Sequence, residues 1–237
     1  MNVDTLIMLG FYVSSIGFLV ASLITALAMK KVGKSGLGTV LSYLFIGTGT
    51  FFVITVFQFL GSDFFGINAD SMDFWWHIMF YLAMASYFLG FKALTKLGTE
   101  EKPKSTLGWG IFSLVVLVLV FVLPSMTDGL VQSYMTSPLA NFGLHHFLAF
   151  AMAGAVAAYL FSAKKNLGMI GKAIANPMLI AVLAVGIQHF WELLNESWKI
   201  VMVTSEVGEG VEKIFLIIAA VCVTVAALRL KALAKAS

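Results

Sequence analysis

The sequence predicts an all-α integral membrane protein, a single seven-transmembrane-helix bundle over residues 1–237 with its N-terminus outside and its C-terminus cytoplasmic. Three observations carry that reading: apolar stretches of spanning length, basic residues confined to alternate connections, and a composition too apolar for water. The stretches lie at about Leu6–Met29, Leu37–Leu60, Met72–Leu94, Leu107–Met126, Leu139–Phe161, Pro177–Val203 and Val211–Leu230. Each is near the roughly 20 residues that a helix needs to cross about 30 Å of hydrocarbon. Of the 15 Lys and Arg residues, all but Lys199 and Lys213 fall beside one set of helix ends. Lys30, Lys31 and Lys34 are followed by Asp63 and Asp70; Lys92, Lys96, Lys102 and Lys104 by Asp128; Lys164, Lys165 and Lys172 by Glu206 and Glu209; and Arg229, Lys231 and Lys235 close the chain. The positive-inside rule makes the basic turns cytoplasmic. With 60% hydrophobic and 11% charged residues the chain cannot cover itself with a soluble surface.

Taken in order, the first span is too long for a secretory h-region, no Lys or Arg precedes it and no small-residue cleavage site follows, so it is expected to be retained. Spans two, five and seven are rich in small residues, at Gly47-Thr48-Gly49, Ala151 to Ala158, Ala219-Ala220 and Ala226-Ala227, which permits close helix contact. The fourth span, Ser113 to Leu123, is nearly pure Val, Leu and Phe and is expected to face lipid. Pro124 near the end of that span, Pro138 before the fifth and Pro177 in the first turn of the sixth stand where a missing amide donor is tolerated. The turn Thr95–Thr106 and the Ser/Thr-rich segment Thr127–Pro138, with Asp128, read as solvated connections. The net charge of +3 averages two opposed faces and provides no surface for nucleic acid. The expected surroundings are the lipid bilayer of a bacterial inner (plasma) membrane, with other membrane subunits or a quinone as further partners. A single cysteine, Cys222, rules out an internal disulfide and any multi-cysteine metal site.

Spans one to three and five to seven run in the same sense, and their landmarks correspond. Met29-Lys30-Lys31 parallels Ala163-Lys164-Lys165, Gln58-Phe59 parallels Gln188-His189-Phe190, and Phe91 to Lys96 parallels Leu230 to Lys235. A three-plus-one-plus-three parallel repeat would follow, although lysines and alanines at every inner helix end would produce the same pattern. In layout, though in no motif, the chain resembles sugar transporters of the SWEET type.

The chemistry-bearing residues lie in the outer halves of the helices. Asp73 and His77, four residues apart, share one face of span three; His145 and His146 open span five; His189, Glu192 and Glu196 follow an i, i+3, i+7 pattern in span six; Glu212 begins span seven. At about 1.5 Å per residue, all four histidines and these carboxylates come to one level below the outer surface. His145 and His146 point about 100° apart, so one of them is expected to be structural. Imidazole with carboxylate in a low-dielectric pocket suits a transition metal such as iron, copper or zinc, or haem b on the histidines. The functional expectation is therefore a metal- or haem-binding membrane protein in electron transfer or redox chemistry. Two alternatives use the same residues: a small ion- or proton-coupled transporter, and an accessory subunit of a membrane complex whose histidines bond neighbouring helices and whose tryptophans form an interfacial belt.

Other chemistries lack their residues. Lys213 is too near the end of its span for a retinal Schiff base, the inner halves hold no histidine for a second haem, and HExxH, GxSxG and the P-loop are absent. The helix Asp73-x3-His77 with Ile78-Met79-Phe80-Tyr81-Leu82 resembles the metal-binding helix in the C subunit of copper membrane monooxygenases. The resemblance covers this helix alone, and the further histidine it implies falls at Gly90.

Overall fold

The structure, a computed structural model, describes residues 3–97 and 105–236. Lys102 and Lys104 lie outside the described residues, as do the side chains of Asp63 and Lys235. Among the described residues every regular element is helical. The order is α1 Val3–Val32, α2 Gly36–Phe65, α3 Ala69–Leu94, α4 Leu107–Val122, α5 Pro124–Met135, α6 Pro138–Asn141, α7 Leu144–Ala163, α8 Met169–Glu192 and α9 Ser205–Ala236. Long apolar runs deprived of water have one local way to satisfy their amides, the internal i to i−4 ladder.

Six of these helices are long and apolar enough to cross a membrane, and a seventh crossing exists only if α4 and α5 count as one bent span. With 16 residues, α4 is about 24 Å long at 1.5 Å per residue, short of a roughly 30 Å core. The expected span Leu107–Met126 is thus broken. Pro124 has no N–H and its ring crowds the preceding turn, and beyond it the chain turns by 89° into α5. The segment Thr127–Pro138, expected as a solvated loop, is therefore mostly helix.

The six long helices pack in chain order as a closed ring: α1 against α2 and α9, α2 against α3, α3 against α7, α7 against α8 and α8 against α9. α4 stands outside this ring, touching α2 and α3. Two three-helix halves, α1–α3 and α7–α9, thus meet at two seams, α1 with α9 and α3 with α7. A three-plus-one-plus-three repeat requires this adjacency, and any six helices joined in sequence around a ring share it. At the first seam a Cβ on Gly17 would stand 2.9 Å from the Cβ of Ala220. Absence of that carbon lets Thr224 Oγ1 donate to the Gly17 carbonyl at 3.1 Å. The centre of the bundle is aromatic: Phe51 stacks on Phe18 at 5.0 Å and on Tyr87 at 5.9 Å, and meets Phe80 edge-on at 6.0 Å. Such pairs add about 0.5–1.5 kcal/mol each beyond burial.

Pro177 lies inside α8, because that helix begins at Met169 and not at the expected Pro177. A proline there cannot donate to the carbonyl of Ala173. Arg229 on α9 donates its Nη1 to that oxygen instead, so an unmet carbonyl becomes a tie between two helices. Replacing Arg229 by Ala is expected to destabilise the protein by about 1.5–3 kcal/mol, the range for a charged hydrogen bond. In a Pro177→Ala background, which returns an N–H to α8, the cost should shrink by about 0.5 kcal/mol or more. Thermal unfolding in detergent of the four proteins of this cycle checks the coupling; equal costs in both backgrounds would dissociate the two residues.

Candidate metal centre

The start of α3 is fixed by a cap and a brace. Asn68 Oδ1 accepts from the Ser71 amide at 2.8 Å, which satisfies one of the free donors at a helix start. Asp128 on α5 accepts from Asn68 Nδ2 at 2.7 Å and from Ser71 Oγ at 2.6 Å. That brace holds α5 across the mouth of the bundle, and Tyr134 on α5 meets Phe74 on α3 at 5.7 Å. One turn deeper, His77 Nδ1 lies 2.8 Å from the carbonyl oxygen of Asp73 and 3.4 Å from its Oδ1.

α7 begins after Gly143, which holds φ at +81°. A Cβ there would collide with Ser197 Oγ and Leu193, so glycine is needed both for its conformation and for the close approach of the α8 terminus. In the first turn of α7, His145 and His146 are both buried, their rings 4.8 and 4.9 Å from that of His77. Both are buried, but they do not enter the same ligand group: His146 falls with His189 and Glu192, His145 with Asp73. The two side chains straddle the direction of His77, so each leans toward a different carboxylate. His145 Nε2 is 3.3 Å from Asp73 Oδ2, and His146 Nδ1 is 3.0 Å from Glu192 Oε2.

α8 supplies the third wall. His189 Nδ1 is 2.6 Å from Glu192 Oε2, and Gln188 Nε2 donates to Glu192 Oε1 at 2.9 Å. The helix then widens into one π turn, Leu193–Ser197, closed by the Trp198 amide on the Leu193 carbonyl at 2.9 Å; such turns often mark functional sites. Glu196, within it, sits 3.7 Å from His146 Nε2 with its side chain half exposed. The packing of His189 is aromatic, with Phe80 at 4.4 Å and Trp76 at 5.0 Å.

Among the described residues, one nitrogen each of His77, His146 and His189 and one oxygen of Glu192 lie within 4.8 Å of one another, with all four residues buried. A second group, Asp73, His77 and His145, meets the same distance limit. The buried His/Glu group could hold a metal ion. An ion with bonds of about 2.0–2.1 Å places tetrahedral ligand atoms about 3.3 Å apart, so the four side chains would close in by at most about 1.5 Å. Three imidazole nitrogens, His77 Nε2, His146 Nδ1 and His189 Nε2, are buried with no hydrogen-bond partner, although His146 Nδ1 lies within ion-pair range of Glu192. His77 has its other nitrogen engaged by the Asp73 carbonyl, the arrangement that ligating histidines adopt; the other nitrogen of His189 faces Glu192, whose carboxylate would turn from it to share an ion. A porphyrin needs a flat slot beside its axial ligand. Here the imidazoles pack against one another, Trp76 and Phe80 at 4.2–6.2 Å, so a single ion fits these residues and haem b does not.

Two expected participants stand apart. Glu196 and Glu212 belong to neither ligand group. The Glu212 carboxylate is 3.5 Å from Lys213 Nζ, which also lies 4.1 Å over the Phe11 ring. Gly90, where a further copper ligand was implied, packs near Tyr43 and Leu44 on α2, about 20 Å along α3 from His77 at 1.5 Å per residue. Sequence reasoning passed over Gln188, which stands four residues before Glu192 and was legible by that spacing. It also passed over Tyr134, whose hydroxyl is 3.4 Å from His145 Nδ1 across the α5 turn and which no local spacing announces. No protein-family model matches the chain, and neither a curated protein nor a solved structure gives a match.

Because Gly143 sets how α7 meets the π turn, Gly143→Ala should both strain a left-handed residue and push Ser197 away. The expected result is a stability loss of about 1–3 kcal/mol, while Gly154→Ala on the same helix, with open space around it, should change stability by less than about 0.5 kcal/mol. Thermal unfolding of both variants makes the comparison.

Proposed function

We propose that this chain is a multi-pass membrane protein that holds a first-row transition metal ion through His77, His146, His189 and Glu192. The observation that carries the reading is the pair of buried, unpartnered nitrogens on His77 and His189, in the same group as the Glu192 carboxylate. Buried polar atoms are normally hydrogen-bonded, and ionisable groups in hydrocarbon are retained where they pair, line water or bind something. Three imidazoles and one carboxylate suit iron, copper or zinc. Glu192 offsets one unit of the ion's charge, and Glu196 beside His146 offsets a second.

The orientation we propose puts the basic helix ends in the cytoplasm and the amino terminus of α1 outside, so that the centre lies in the outer half of an inner-type membrane. An iron or copper ion held here would exchange electrons, with a quinone or a neighbouring subunit as partner at the lipid-facing surface. A second reading has one observation in its favour. His77 belongs to one three-helix half and His146, His189 and Glu192 to the other, so the group bridges the α3–α7 seam. Transporters that rock between repeats place their coupling sites at such seams.

Protein purified gently without chelators should contain bound metal, and Glu192→Gln should weaken its retention by about 10–100-fold while the fold persists. Metal analysis beside a thermal unfolding curve reads both; a variant with unchanged metal content would exclude Glu192 from the centre. An optical or electron paramagnetic resonance change on reduction supports electron exchange, whereas bound zinc with no such change removes it and leaves the seam reading.

Topology has its own test. With Cys222 replaced by Ala, an impermeant thiol reagent on intact cells should modify a cysteine at Thr136 and spare one at Lys34. The opposite pattern would invert the proposed orientation.

A further inference from the structure

Asp73 and His145 are not needed to hold the ion just described, yet with His77, which belongs to both groups, they form a second ligand set. His145 is positioned on three sides. Its Nε2 faces Asp73 Oδ2 at 3.3 Å, its Nδ1 faces the Tyr134 hydroxyl at 3.4 Å, and its backbone carbonyl accepts from Tyr81 at 3.0 Å. The other Asp73 oxygen is 3.4 Å from His77 Nδ1. The two Asp73–imidazole separations, 3.3 and 3.4 Å, are longer than a charge-assisted hydrogen bond, which closes to about 2.7–2.9 Å. They match the spacing of about 3.3 Å between ligand atoms around a tetrahedral ion with 2.0–2.1 Å bonds. The two sides of the cluster also differ in exposure. The Asp73 side chain is 37% exposed and that of His145 10%, against 0% for His189 and 9% for Glu192.

Resting on the metal reading of the buried group, we propose that Asp73 and His145 hold a second, weaker divalent cation on the solvent side of the first. The Asp73 carboxylate and His145 Nε2 are its two firm ligands. His77 Nδ1 faces the same group, although the Asp73 carbonyl 2.8 Å away competes for that nitrogen. Water completes the coordination, since the carboxylate opens to solvent. Fewer protein ligands and greater exposure make this the weaker site, and Tyr134 fixes the imidazole by engaging the nitrogen that the cation does not take. His77 belongs to both groups, its Nδ1 3.4 Å from Asp73 Oδ1 and its Nε2 buried without a partner, so a cation reaching the outer pair is one imidazole away from the inner set.

The experiment is a zinc titration by calorimetry of the intact protein in detergent, after chelator treatment and dialysis. Wild type is expected to show two classes of site, the second at least about ten-fold weaker. Asp73→Asn, which keeps size and helix contacts, and His145→Ala should each lose the weak class and retain the strong one. Thermal unfolding confirms that both variants are folded, and either folded variant suffices. A wild type that takes up one ion in a single class overturns the second site and leaves the four-residue centre standing. Loss of the strong class in folded Asp73→Asn likewise overturns it, by placing Asp73 in the first centre. A wild type that binds no zinc, iron or copper at all removes the metal reading itself, and the second site with it.

Discussion

Everything near the mouth of the bundle is arranged around one buried carboxylate. Removing an ionised Glu from water costs several kcal/mol even after relaxation, and Glu192 sits at the end of α8 surrounded by apolar helices. Its two oxygens are met by Gln188 and His189 from its own helix and by His146 from α7. Those partners fix where α7 must begin. His146 reaches Glu192 only if the amino end of α7 lies flush against the π turn, which is why Gly143 occupies the contact. His77 joins from α3 without any bond to Glu192, its Nε2 left buried and unpartnered. A carboxylate so enclosed, with imidazole nitrogens to spare, is more polar capacity than the helices need for one another, and this surplus supports a ligand.

The apolar part of the molecule makes that enclosure rigid. Phe80 touches His189 on one side and Phe51 on the other, and Phe51 passes the packing on to Phe18 and Tyr87. The site floor is thus continuous with the aromatic centre of the ring. Close-packed interiors transmit displacements, so the imidazoles cannot separate without moving that column. On the opposite side the roof is polar: α5 is held by Asp128 on the cap of α3, and it contributes Tyr134. A dry floor and a hydrogen-bonded roof produce the gradient of exposure from His189 to Asp73.

Several features were legible in the sequence because they depend only on local periodicity or on charge. Long apolar runs must satisfy their own amides, which dictates helices. Asp73 and His77 share a face by helical spacing, as do His189 and Glu192. What failed did so for identifiable reasons. The bounds of α8 were misplaced because Pro177 reads as a helix start, and only Arg229, distant in sequence, supplies the donor that its carbonyl partner lacks. The fourth span was drawn through Pro124 because composition stays apolar across the 89° turn. Depth alone suggests Glu212 for the centre, whereas its carboxylate lies 3.5 Å from Lys213 Nζ, which itself stands over the Phe11 ring of α1.

By itself the sequence determined that this is a helical protein of many apolar spans, with its basic residues segregated to one set of helix ends and its histidines near the other. These follow from hydrophobicity, backbone hydrogen bonding and charge, properties that each segment carries without its neighbours. Tertiary structure decided which of those residues meet. The angle at which α7 enters beside α8 brings both His145 and His146 inward, and the π turn and Gly143 make that angle available. The division of the histidines into a closed group around Glu192 and an open one around Asp73 is likewise tertiary. The physical reason is that ligand sets are built from distances of a few ångströms across helix seams, and such distances are fixed by packing, which no periodicity along a single chain encodes.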